Sequence, residues 1–182
     1  MQRTLIAVLW IGILASLGFG AGCAKQQTNA GTFPGVLPSA VAPSDWTRAP
    51  SGAYVAEQGR VFYAIGTAGG MRNTTLLRAT ADNQAQTEMT RVLNTYVRAL
   101  AQAAGTGGDE APLYLIVKAA LQKAHIVDHR QGGGDSSLVA LCRLDLSVFK
   151  QILAAESELD EALRARMLAQ ADRVHAELAA SR

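Results

Sequence analysis

Residues 1–23 constrain this chain before anything else does, because they describe a segment that takes no part in the fold. Arg3 precedes an uncharged apolar run from Leu5 to Phe19, and the small residues Gly20, Ala21 and Gly22 stand directly before Cys23. A basic start, an apolar centre and small residues at a cut site are the order of an export signal. The folded part therefore has to be built from residues beyond Cys23.

The Gly-Ala-Gly-Cys order resembles the site at which signal peptidase II cuts bacterial lipoproteins. The resemblance implies that Cys23 takes a diacylglycerol on its thiol, that residues 1–22 are removed, and that the new amino group is acylated. Gly20 stands where such sites usually have Leu. Ala24 rather than Asp after the cysteine implies, by the same resemblance, delivery to the outer membrane with the protein facing the periplasm. The alternative is an uncleaved membrane helix, since the charge-free stretch from Thr4 to Ala24 is long enough for a bilayer core of about 30 Å. Gly12, Gly18, Gly20 and Gly22 favour an extended, processable end instead.

About 160 residues remain beyond the signal, enough for one domain and a tether. Pro34, Pro38, Pro43 and Pro50 fall among Gly, Ser, Thr and Ala, so residues 23–50 read as a flexible tether that starts at the lipidated cysteine. Trp46 interrupts it, and has two readings: an anchor that docks the tether's end on the domain, or an exposed contact for a partner. The formal net charge of +2 offers no basic stripe, which speaks against nucleic acid. Once Cys23 is lipidated, Cys142 has no cysteine to pair with.

The folded part reads as a strand at Val61–Ile65, a turn in the glycine-rich segment after it, and a helix from about Asn73 to Ala104. Asn73 or Thr74 supplies its cap and Gly105 its end. A shorter helix runs from Pro112 to about Lys123, then a hairpin of strands at Ala124–Arg130 and Leu138–Leu146. Ser147 is expected to cap one long helix running to Ala180. The order predicts an α+β fold of two layers, with a small three-stranded, mainly antiparallel sheet. Residues 51–153 make the α+β domain and residues 154–182 a C-terminal helical extension. The apolar stripe of that helix, Leu159, Leu163, Met167, Ala171, Val174 and Leu178, is narrow, which predicts pairing with a second copy or a partner. Both faces of the predicted sheet carry apolar residues, so the second face also calls for a cover, either the long helix, through Val148, Phe149, Ile152 and Leu153 at its start, or another subunit.

The Trp46 lead-in, the VFYAIGTA strand, the helix containing TADNQAQTEMTRVLNTYVRAL and the closing SLVALCRLDLSVFKQIL resemble the Lpp-twenty lipoprotein family over residues 45 to 153. That family consists of small envelope lipoproteins, including outer-membrane proteins required for flagellar function. The resemblance implies a dodecin-like sheet with a helix packed on it, and carries over no catalytic or ligand residue.

Little in the chain suggests chemistry. Gly66, Gly69 and Gly70 come after a strand and before a helix, but their spacing is not that of a phosphate-binding turn. His125 and His129 share a face of a regular strand. In one hairpin register His125 lies opposite Cys142, making a metal site with Asp128 or Asp135 conceivable; a one-residue slip puts Ile126 there and turns both histidines outward. Burying isoleucine in place of imidazoles favours the slip, and no metal is expected. Cys142 reads as a core residue whose thiol pKa is raised, and Asp160 and Arg164 as an i,i+4 ion pair on a solvated helix face. The function expected is that of a non-enzymatic outer-membrane lipoprotein without cofactor, lipidated at Cys23. It would act as a structural or binding component of the envelope, with envelope or flagellar proteins and further copies of itself as partners. The alternative is a dodecin-like oligomer that binds a small ligand.

Overall fold

The computed structural model describes residues 46–105, 110–133 and 136–181, all within a unit spanning Pro34–Arg182. Cys23, Asp135 and most of the tether lie outside the described residues.

The alanine-rich stripe forms the helix its period predicts. Helix α1, Thr74–Ala103, is 30 residues long. Asn73 caps it, its Oδ1 accepting a hydrogen bond from the Leu76 amide at 3.0 Å, and Gly105 stands just past its end at φ 77°, where glycine is strained least. Ala81, Ala85, Met89, Leu93, Tyr96 and Leu100 are all fully buried along one side. The stripe begins with alanines because a strand backbone lies against it. A Cβ built on Gly66 would stand 2.1 Å from the Ala85 nitrogen and 2.3 Å from the Ala81 oxygen.

The sheet has four antiparallel strands rather than three, in the order β1-β2-β4-β3. The added strand β1, Gly52–Ala56, pairs with the start of β2 across a turn at Glu57 and Gln58. Five residues of Gly-Ala-Tyr-Val-Ala show no alternation of their own, so only the pairing identifies the strand. Strand β2, Gly59–Gly69, extends well past Ile65. Its segment Gly66–Gly69, expected to turn, instead pairs with Ala140 through Ser137 of β4, Ser137–Asp145. The turn comes at Gly70, φ 74°.

Side-chain alternation divides the sheet. Phe62, Ala64 and Ala68 of β2 lie opposite Leu144, Cys142 and Leu138 of β4, and these residues join the main core under α1. Val61, Tyr63 and Ile65 share the other face with Arg143, Leu141 and Val139. Helix α2, Glu110–Leu121, packs on α1 and leads into the edge strand β3, His125–Gln131.

The predicted helix from Ser147 to Ala180 is two helices, α3, Leu146–Ala155, and α4, Glu161–Ala180. Asp145, not Ser147, holds the N-cap position of α3, and its carboxylate accepts from Arg143 Nε at 2.8 Å instead of capping. At α4 Asp160 does cap, accepting from the Leu163 amide at 3.0 Å. Arg164 Nη1 donates to the Glu156 carbonyl at 2.8 Å, so the expected Asp160–Arg164 ion pair is replaced by two bonds that close the link. Leu159 stays buried in that link, and the apolar period runs through the break unmarked.

Helix α4 folds back on its own domain. Met167, Ala171, Val174, His175 and Ala179 are buried. Tyr96 Oη donates to the Ala171 carbonyl at 2.8 Å, Arg166 Nε to the Ala104 carbonyl at 3.1 Å, and His175 Nε2 to the Val61 carbonyl at 3.0 Å. Phe62, Tyr96, Phe149 and His175 form one ring cluster, Phe62 and Tyr96 standing 4.8 Å apart and Phe62 and His175 5.0 Å. The narrow stripe thus finds its cover inside the chain, and no second copy is needed to explain it.

Candidate functional site

The hairpin of β3 and β4 decides which of the sequence's reactive residues can meet. Ile126 lies opposite Cys142, the slipped register, and a bulge between Ile126 and Asp128 then shifts the pairing by one residue. An extra residue reverses the facing of everything beyond it. His125 consequently lies opposite Arg143 on the second face, while His129 lies opposite Ala140 on the helix face. The two histidines do not turn outward together, as the slipped register alone predicts. Among the described residues no group of three His, Cys, Asp or Glu could hold a metal ion.

His129 is held at both ring nitrogens. Its Nε2 lies 2.5 Å from Asp82 Oδ1, and Arg78 Nη2 lies 3.2 Å from Nδ1. Arginine can only donate, so Nδ1 accepts and Nε2 carries the proton given to Asp82. With neither nitrogen free, the imidazole ties the edge strand to α1. Cys142 is fully buried, and burial pushes its thiol up to about 11. Asp82 reinforces that shift and a hydrogen bond at the Arg143 backbone opposes it. Burial and the raised pKa both disfavour the thiolate form.

A second charged cluster lies where the β1–β2 turn, the start of α3 and α4 converge. Asp172 accepts from Lys150 Nζ and from Arg60 Nη1, each at 2.7 Å. The Lys150 hydrogen bond, with Arg60 beside it, holds the Asp172 carboxyl below its usual range against a smaller effect of burial. A cleft of about 320 Å³ opens here, with Gln58, Asp145 and Ser147 in its lining. Its cations are paired with acids of the same cleft, which makes the cluster a joint between elements.

The remaining surface of interest is the second face of the sheet. Val139 and Leu141 are buried there beneath Trp46, with Tyr63 and Ile65 half-buried alongside, whereas Phe149 and Leu153, expected to cover this face, pack in the main core with Phe62. Trp46 opens a single turn, Trp46–Arg48, and is 8 % exposed. Its Nε1 donates to Asp128 Oδ2 at 3.2 Å, and the Arg130 guanidinium stands 5.1 Å over its ring. Arg130 also donates to Asp128 Oδ2 at 3.1 Å. An apolar bed, a hydrogen-bond acceptor and a cation over the ring fix the indole from three directions. Of the two readings of Trp46 the structure places the docking anchor. Tyr54 and Tyr63 continue this face as a ring pair 5.7 Å apart.

Sequence reasoning singled out Trp46, Cys142 and both histidines. It missed Asp82 and Arg78, whose relation to His129 depends on the bulge, and Arg60, Lys150 and Asp172, which meet only because α4 turns back. No family model matches the chain, and no curated protein does.

Proposed function

We propose that the protein is a non-enzymatic lipoprotein of the cell envelope, lipidated at Cys23, anchored in the outer membrane facing the periplasm, and acting as a structural or binding component. Resemblance to the Lpp-twenty lipoproteins supports this reading and makes a part in flagellar assembly or motility its most specific form. The observation that carries it is the docking of Trp46. The indole sits where the tether meets the domain and is clamped by Asp128 and Arg130, so the tether leaves from one fixed point on the sheet.

The test is mass spectrometry of protein extracted from the native envelope. A chain beginning at Cys23 with added acyl mass is expected, together with unprocessed precursor for Cys23→Ser; an intact Met1 overturns the reading. Crosslinking from the envelope then identifies partners, and a deletion strain scored for motility tests the flagellar form. Half-buried Tyr63 and Ile65 beside Tyr54 favour a second reading, a dodecin-like oligomer that holds a small flat ligand against the sheet. Bound-ligand mass spectrometry of the purified protein separates the two.

A further inference from the structure

Helix α2 is apolar on both sides. Ile116, Val117 and Ala120 are buried in the main core, as a helix packed on α1 and α3 requires. The opposite side is formed by Ala111, Tyr114, Leu115, Lys118 and Gln122, all exposed and spaced to share one face. Tyr114 is 65 % exposed and Leu115 40 %. A helix that buries one apolar face and displays another is suited to a boundary where its outer side meets something other than water.

We propose that this outer face of α2 rests on an anionic phospholipid surface. Charge selects that occupant. Glu110 opens α2 and Asp109 precedes it in the sequence, but no acid follows until Asp128, whereas Lys118 and Lys123 lie within that stretch and are both exposed. The lysines match lipid phosphates. Tyrosine suits the headgroup level, with its ring toward the acyl chains and its hydroxyl in water, and Leu115 supplies the deeper contact. The proposal rests on Cys23 as a lipid anchor. At about 3.5 Å per residue the chain from Cys23 to Trp46 cannot exceed about 80 Å, so the domain never leaves the neighbourhood of the bilayer. Tethering raises the local concentration of the two surfaces, and a shallow face is then sufficient.

The test uses the natively lipidated full chain carrying Leu115→Cys, reconstituted in vesicles of phosphatidylethanolamine and phosphatidylglycerol. Buried Cys142 leaves residue 115 as the accessible thiol for a spin label. A label at Thr87→Cys, on the exposed side of α1, is the comparison. The label at 115 is expected to collide several-fold more with membrane-dissolved oxygen than with an aqueous nickel complex, and the label at 87 to show the reverse. Lys118→Glu combined with Lys123→Glu should return the label at 115 to water while Trp46 emission and circular dichroism stay unchanged. A chain that floats with the vesicles but keeps residue 115 in water overturns the proposal alone. Spin–spin broadening at 115 also overturns it, by placing a second copy on α2. A chain that does not float at all overturns the anchor reading, and the proposal with it.

Discussion

Single side chains in this protein are constrained mainly by what touches them. Gly66 is the strictest case, since any Cβ would enter the backbone of α1 at Ala81 and Ala85. Gly66→Ala is therefore expected to cost about 1–3 kcal/mol or more, read as a lower urea midpoint, because neither backbone can withdraw without opening the sheet–helix contact. Asp172 is constrained by charge. Its carboxyl titrates lower in the folded state than its ordinary 3.8, so its contribution is complete above that value and is lost as pH falls through the folded value. The side chain is half exposed, and solvent screening limits the contribution to about 1 kcal/mol at most. Asp172→Asn should lower stability by no more than that at neutral pH and flatten the decline of stability below about pH 4, measured by denaturant unfolding at several pH values. Cys142, a buried thiol with a raised pKa, should resist iodoacetamide in the native protein at pH 8 and react once urea unfolds it. Rapid labelling of the folded chain would place the residue elsewhere.

Among the elements, those whose contacts are local were legible from sequence. The three-four period of α1, its Asn73 cap and the glycine after it needed no tertiary information, and the structure places the helix within a residue of expectation. Strand β4 was equally plain. Strand β1 was not, because five residues between glycine and a turn carry no period. The break between α3 and α4 stayed hidden because Leu159 is buried in the link, which leaves the apolar spacing intact while the chain turns. Asp160 was the readable signal there, being a capping residue three positions before Leu163. The bulge at Val127 has no signature in the sequence, and it reverses the facing of His129. The candidate site was most legible at Trp46, whose indole amid a low-complexity stretch marked it. Since α4 seals Phe62, Tyr96 and Phe149, truncation after Ala155 should abolish cooperative unfolding and expose dye-binding apolar surface, whatever the oligomeric state. A truncated domain that keeps a sharp transition would show α4 to be dispensable.

For the molecule as a whole, Trp46 reports whether the lead-in is seated. With the proposed removal of residues 1–22 it would be the remaining tryptophan, Trp10 being the other of two. Its emission is expected to be blue-shifted and shielded from acrylamide, and Asp128→Ala should weaken both properties by removing the acceptor of its indole proton. Arg130 would then lose its own acid and its hold over the ring. At this scale the return of α4 also joins the two ends of the domain, since it packs against β1 as well as α1. Contacts between the first strand and the last helix give the fold a long loop to close, and such loops are slow to form. A chain that emerges amino end first, from a ribosome or through a membrane pore, holds Phe62 and Tyr96 without their lid until its final 20-residue helix appears. Completion of this core therefore waits for α4, and until that helix emerges the earlier elements hold an open apolar face.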